Sequence, residues 1–520
     1  MKRIKIYLLS GLGLLLLASS CSKKLDLTPV SSVSDASYWK TPDQVDAFVT
    51  GVHTRFRSHN GNFLFLGEMR SDIYGLEPGS GSTFTGEAPQ GLDAMWTQTI
   101  DLGSPGVSGF GDFYFNINQL NLLISKLNSI DFVSEANKSY YLGTAYGMRA
   151  FYYFQLLRSW GKTVLQTEPV TSIDIDNLAK AASDEADVIK QIKDDIESSV
   201  NSFGANYAFK SQKAYWSKAA TLMLKGEVYL WTSHRGGGAA DATIAKNALT
   251  DLQTNIPSLT LLSVFSDVFS AKGNNEIIFA SRYLANEAAM GFVAASFVPQ
   301  SGLIANFYDS VQNRKLSDPL KDNWGGLLRA PVKVATFRRF NDKDTRKWAT
   351  LQAGYSVDIT KRPSADTMVI KGAFVRKFFG ENVAGARSYT NDFPIYRYAD
   401  LLLLQAEAKV VLGEDPSAEI NLVRARAYGA NYSAAIYGYP NQAIDASPKD
   451  AILQERLFEF IFEGKRWYDL RRMGDAFLYA QIPASQFANS NPEGRLLWPI
   501  SRTSLTNNRL LVQNPGYRQF

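Results

Sequence analysis

One cysteine, Cys21, and three histidines, His53, His59 and His234, are all that this 520-residue chain holds of those two residue types. A lone thiol excludes an intramolecular disulfide and any cysteine-based zinc site. The histidines contain no His-x-x-x-His pair, so a zincin helix is excluded as well. No Gly-x-Ser-x-Gly elbow occurs. Gly161-Lys162-Thr163 lacks the leading glycine of a phosphate-binding loop, because position 156 is Leu. Charge of one sign is also scarce. The formal net charge is +5, and Lys2, Arg3 and Lys5 supply part of it from a segment expected to be removed. That is too little, and too evenly spread, for a nucleic-acid surface. What is abundant is aromatic: 25 Tyr, 31 Phe and 9 Trp, enough for a large core and for stacking surfaces.

Only one long apolar run exists, Ile6–Leu17, behind the basic Lys2, Arg3 and Lys5. As a helix, those residues reach about 18 Å, short of a hydrocarbon core of about 30 Å. The segment therefore reads as a signal peptide, not a span. It ends in Leu17-Ala18-Ser19-Ser20-Cys21, which looks like a lipoprotein signal whose cysteine is acylated and becomes the first residue. Several acyl chains, at about 0.8 kcal/mol per buried CH₂, hold a protein on a membrane almost permanently. Residues 21–36 then form a lipidated tether.

The stretch with the strongest pattern is Ala451–Gly474. At 3.6 residues per turn, Leu457, Phe458, Phe460, Ile461, Trp467 and Tyr468 cover one broad face. Glu455, Glu459, Glu463, Arg466 and Asp469 gather on a stripe opposite. Glu459 and Glu463, one turn apart, have the spacing of a catalytic carboxylate pair. The interleaved bases favour a different reading, an ion-pair ladder of Glu463 with Arg466 and Asp469 with Arg472.

Helical patterns also cover Tyr38–Arg57, capped by Thr41 with Pro42 in the first turn, then Asp112–Leu127 and Ser134–Trp160. Others are Asp184–Ser202, Ala214–Trp231, Asp241–Thr254, Arg397–Leu412 and Ser417–Tyr428. Glu276–Arg282 and Val332–Arg338 look like short strands. The last forty-six residues read as loop and turn. Two portions are irregular: 60–110, rich in Gly, Ser and Pro, and 257–392. Tyr283, Phe307, Tyr308, Trp324, Trp348 and Tyr355 fall in the second, where core packing is the ordinary use of any one of them. No clean 34-residue repeat is present, yet paired amphipathic helices with short turns are what a degenerate tetratricopeptide-type array gives.

Several local motifs now match a family in order. They are Cys21 with Leu25-Asp26-Leu27, Trp39-Lys-Thr-Pro-Asp43, Arg149-Ala-Phe-Tyr-Tyr-Phe154 and Glu276-Ile-Ile-Phe279. Further along come Arg397-Tyr-Ala-Asp-Leu-Leu402, Ala406-Glu-Ala408, Val423-Arg-Ala-Arg426, Glu455-Arg456, Glu459, Phe462-Glu-Gly464, Arg466, Asp469-Leu-Arg471, Pro499-Ile500 and Gln513-Asn-Pro-Gly-Tyr517. In this the chain resembles the SusD/RagB family of outer-membrane lipoproteins. One departure is Lys162-Thr-Val-Leu165, where members usually place a proline. The resemblance implies a mostly α fold with tetratricopeptide-like helix pairs, a loop-rich variable portion and a few short strands, forming one domain over 37–520. It implies no enzyme activity and no cofactor. It also implies a surface-exposed site on the outer membrane and a SusC-like TonB-dependent barrel as partner. The expected ligand is a glycan. A peptide-capturing member and a helical glycoside hydrolase using Glu459 and Glu463 are the alternatives. Sugar recognition needs flat aromatic faces with polar groups around them. Trp96, Trp324, Tyr74 and Tyr308, in the two irregular portions, are the expected platforms, with Asn306, Asp309, Asn323 and Arg329 near them.

Overall fold

The computed structural model describes residues 38–75, 90–171, 178–300, 302, 304–305, 307–309, 314–316, 324–357, 368–487 and 494–520. Cys21 with its signal and tether, Asn306 and Asn323 lie outside them. Two compact units are distinguished, one ending at Phe48 and one running Val49–Phe520. In the first, the rings of Tyr38, Trp39 and Phe48 pack on one another. Helix α1 (Pro42–Ser58) starts where the sequence places it. Thr41 Oγ1 accepts from Gln44 N, and Gln44 Oε1 accepts from the Lys40 and Thr41 amides in return, a reciprocal cap.

The second unit is mostly helical. Helix α2 (Asn60–Glu68) follows α1 almost directly, then α3 (Asp93–Trp96), α4 (Phe110–Ser129), α5 (Glu135–Trp160), α6 (Glu185–Phe203), α7 (Lys218–Thr232) and α8 (Gly238–Asn255). Successive helices pack pairwise, α4 on α5, α5 on α6, and α7 on α8. Helix α5 is buried over its last turns and stops at Gly161, whose φ is +73°. Beyond it, the Tyr114 hydroxyl accepts the Val164 amide at 2.8 Å and holds the turn that lacks the family's proline. Expectation and structure differ at Asn60–Glu68, a helix where the sequence reads as irregular. Its apolar residues do not sit on one stripe, since six of its nine residues are buried, so no helical period shows.

Strand β1 (Ile277–Ser281) pairs antiparallel with β8 (Phe393–Arg397). Between them lie β2 (Tyr308–Asp309), β3 (Arg314–Lys315), helices α9 (Val334–Arg339) and α10 (Thr345–Thr350), β4 (Leu351–Val357), β5 (Met368–Val375), β6 (Glu381–Val383) and β7 (Ala386–Ser388). The larger sheet has the order β3-β2-β4-β5. The expected strand Val332–Arg338 is instead a single residue, Val332, bridging Tyr74 and Ala373, followed by α9. Helices α11 (Tyr398–Leu412), α12 (Ser417–Tyr428), α13 (Pro448–Phe460) and α14 (Arg466–Met473) then return the chain to the helical layer, and α11 packs on α8, α12 and α13. The tail is not all turn, since α15 (Asp475–Gln481) and α16 (Arg502–Asn507) lie in it. Among the described residues no helix is long and apolar enough to cross a membrane.

The 451–474 stretch corrects the single-helix expectation. Two helices meet at a break, where Phe462 and Gly464 have φ of +69° and +71°. Glu68 from α2 fills that break, accepting from Phe462 N (2.7 Å), Gly464 N (3.0 Å) and Tyr74 Oη (2.7 Å). Burial pushes its carboxyl up to about 7, against these three hydrogen bonds.

Candidate functional site

Glu459 and Glu463 are not on a solvent stripe. Both carboxylates are wholly buried. Glu459 meets Arg397 at 2.5 Å, Arg346 at 3.2 Å and Arg426. Glu463 meets Lys377 at 2.6 Å and Arg397 at 2.9 Å. Of the expected ladder, Asp469–Arg472 forms at 2.9 Å, whereas Arg466 turns to Asp72 at 2.8 Å and leaves Glu463 to its other partners. Burial pushes the Glu459 carboxyl up, but Arg426, Arg397 and Arg346 outweigh it and hold it well below the usual carboxylate range. A glycosidic acid needs a raised value. The cavity that reaches Glu463 has about 20 Å³, room for a water at most. These glutamates therefore belong to the scaffold.

The aromatic candidates divide in two. Tyr74 is fully buried, with its hydroxyl on Glu68. Trp324 is 1% exposed, its ring edge-on to Phe374 (5.0 Å) and Phe379 (5.1 Å). Neither ring offers a face to a ligand, so for both the structure replaces a platform role with a packing one. Polar neighbours in sequence gave a misleading signal, because those neighbours are not what surrounds the rings in space.

Trp96 and Tyr308 are half-buried. The Trp96 indole lies beside Gly75 and Lys333, where a Cβ added to Gly75 would come within 3.2 Å of each. Lys333 immediately precedes α9. At the other end of α9, about 9 Å away, an open cleft of about 770 Å³ begins between the α9–α10 turn and the β4–β5 hairpin. Tyr355 on β4 lines it and pairs directly with Tyr308 on β2, and residues opposite one another on antiparallel strands put their side chains on one sheet face. Asp309, beside Tyr308, is buried.

The turn that walls the cleft is built locally. Asn341 Oδ1 accepts from Lys343 N, and Asp344 Oδ1 caps α10 by accepting from Arg346 N, both at 2.9 Å. Helix α10 runs straight into β4 and so fixes Trp348 next to the cleft. Its Nε1 donates to the Asp342 carbonyl at 2.9 Å, and its ring stands edge-on to Phe337 at 5.9 Å. Lys347 Nζ lies 4.3 Å from the centre of the Phe337 ring and 2.5 Å from Asp342. Arg338, Asn341, Asp342 and Lys343 add an exposed amide and charges to the rim. This is an aromatic floor with a polar edge. Sequence reasoning assigned Trp348 and Tyr355 to core packing. The Asn-Asp-Lys-Asp turn just before Trp348 was the available sign that this indole sits at a surface. Among the described residues no group of three or more His, Cys, Asp or Glu side chains could hold a metal ion.

The SusD family model matches residues 352–517, from β4 to the C-terminal turn. NanU of B. fragilis is similar in structure, with a TM-score of 0.85 and 42% identity over 94% of this chain and 99% of that one. A SusD superfamily protein from Bacteroides vulgatus is similar at a TM-score of 0.81 and 40% identity, over 92% of this chain and 100% of that one. The starch-binding protein SusD of Bacteroides thetaiotaomicron is 29% identical over a shorter stretch, 27% of this chain and 24% of its own. On these grounds the chain belongs to the SusD family.

Proposed function

We propose that the protein is a surface lipoprotein of the outer membrane that captures glycans in the cleft between α9–α10 and β4–β5. It then delivers them to a SusC-like TonB-dependent barrel, changing no covalent bond in them. The observation that carries this reading is Tyr355 lining an open cleft rimmed by Asn341, Asp342 and Lys343, with Tyr308 paired to it on the neighbouring strand of the same sheet face. Tyrosine rings take the C–H face of a pyranose, and the rim groups take its hydroxyls. Trp96, at the far end of α9, is the proposed outer platform for a longer chain. The starch binding named for the Bacteroides thetaiotaomicron relative supports a glycan over a peptide. The basic residues, the apolar run Ile6–Leu17 and the small residues ahead of Cys21 support acylation and membrane anchoring.

Two expected results test this. Tyr355→Ala combined with Tyr308→Ala should weaken oligosaccharide binding by about tenfold or more, as two ring contacts of about 1 kcal/mol each imply. The unfolding midpoint should move little, since both rings are half exposed. Calorimetric titration with a panel of oligosaccharides measures the first, and unchanged affinity would assign the rings to the sheet alone. Cys21→Ala should move the protein from the membrane fraction to the soluble fraction, and continued membrane retention would count against acylation.

A further inference from the structure

A second cleft, of about 290 Å³, lies between the C-terminal half of α1, the 211–215 turn and the end of β1. Its walls are aromatic, with Phe56, Phe279 and Tyr215. Tyr215 is stacked on His53 at 4.3 Å and 21°. His53 is fixed by Val49 O at 2.7 Å and by the Trp216 amide, which donates to Nε2 at 2.9 Å. That second bond sets the neutral tautomer. Two guanidiniums reach the cleft. Arg57 donates to the Arg282 carbonyl at 2.9 Å and to Glu287 Oε1 at 2.7 Å. Arg282 donates to the Gln212 carbonyl at 3.2 Å and has Asp392 Oδ1 3.7 Å from its Nε.

The turn between them is strained. Ser211, Gln212 and Lys213 have φ of +48°, +51° and +70°, three consecutive non-glycine residues in the left-handed region. Such a conformation persists only where surrounding contacts over-determine it. Here Arg282 grips the Gln212 carbonyl, and Lys213 Nζ donates to Asn274 O at 2.6 Å. Ser211, Thr50, Thr54 and Ser281 line the cleft with the two arginines; Thr50 Oγ1 is hydrogen-bonded to Tyr215 Oη at 2.5 Å, Thr54 Oγ1 donates to Thr50 O and Ser281 Oγ donates to Asn60 Oδ1.

The two guanidiniums that line the cleft, Arg57 and Arg282, meet one lining carboxylate, Glu287, and Arg282 also lies near Asp392. Asp392 is 5% exposed and flanked by Lys272 at 3.6 Å as well as by Arg282. Glu287 is the opposite case. It stands on an exposed turn, with its side chain 52% accessible, and its pair with Arg57 is open to water. Such exposed pairs contribute little, so another carboxylate of better fit displaces it readily. A volume of this size takes one small molecule and no polymer.

We infer that this cleft binds the carboxylate of a small organic acid, with Arg57 as its anchor, Tyr215 and Phe279 as its walls and Glu287 as a built-in competitor. The inference is independent of the glycan reading. It is tested by NMR titration of the purified protein with benzoate and with its neutral isostere benzamide, following the Tyr215 and His53 ring signals. Benzoate should saturate those signals with an affinity at least about tenfold above that of benzamide. Glu287→Gln should tighten benzoate binding several-fold by removing the competitor, and Arg57→Met should abolish the preference for the anion. Equal affinity for the two probes, no saturable benzoate response, or weaker benzoate binding in Glu287→Gln would each overturn it. The comparison of probes on the unaltered protein holds whether or not Arg57→Met folds.

Discussion

Replacing Arg397 by Met should lower the free energy of unfolding by about 3–5 kcal/mol, the range for breaking a buried ion pair from one side. The side chain is wholly buried and donates to three glutamates at once. It reaches Glu276 at 2.7 Å, Glu459 at 2.5 Å and Glu463 at 2.9 Å, and also the Glu459 carbonyl at 2.7 Å. Methionine fills similar volume but leaves those carboxylates with fewer cations and no water. The pH dependence should change too. Glu459 and Glu463 are held below their ordinary values, with Arg397 among the first cations responsible. Groups depressed in the folded state contribute stability above their unfolded pKa and lose it as pH falls through the folded value. The wild-type protein should thus lose stability below about pH 4.5, and the variant, whose carboxyls are less depressed, should lose less. Urea unfolding at neutral and acid pH measures both effects. A change under about 1 kcal/mol would show that the cluster is not paired as described.

Gly67→Ala should cost at least about 3 kcal/mol, the upper part of the overpacking range. A Cβ at Gly67 would lie 1.7 Å from the Gly464 carbonyl oxygen and 3.0 Å from the Tyr468 ring. Gly464 is held tight against α2, since a Cβ at its own position would lie 2.8 Å from the Phe63 carbonyl oxygen and 3.0 Å from Leu64 Cα, and its amide is bonded to Glu68. Helix α2 would have to leave the α13–α14 break, unpairing Glu68 from the Phe462 and Gly464 amides. Thermal denaturation should show a clear fall in midpoint. A midpoint within two degrees or so of wild type, on the scale where about 1 kcal/mol shifts a large domain by 2–4 °C, would show that the α2 contact is looser than the geometry states.

The helical part of this architecture is legible in the sequence because it depends on local signals. Thr41 and Pro42 mark the start of α1, Gly161 the end of α5, and Ser417–Tyr428 matches α12 residue for residue. What the sequence hides is long-range pairing. Within one helix it shows Glu463 beside Arg466, yet the partners these residues take, Lys377, Arg397 and Asp72, lie 66 to 394 positions away. The break at Phe462 was hidden for the same reason, since a left-handed phenylalanine is tolerated only because Glu68 comes from α2 to bond its amide. Motif residues such as Arg397, Glu455, Glu459, Glu463 and Asp469, which carry the family resemblance, prove to be the ionic skeleton of the core. They identify the scaffold and are silent on the ligand. The cleft was only partly visible. Tyr308 and Trp96 were marked by their polar, turn-rich surroundings, but the same signal pointed to Tyr74 and Trp324, which are interior. Composition around a residue reports its neighbours in the chain, whereas exposure depends on which other elements fold over it.

The most direct measurement is a titration of the purified protein with soluble oligosaccharides, followed in the same samples by an assay for new reducing ends. Saturable binding that Tyr355→Ala with Tyr308→Ala weakens, with no reducing ends released over time, is the predicted result. Release of reducing ends, or binding indifferent to both tyrosines, would contradict non-covalent capture in this cleft.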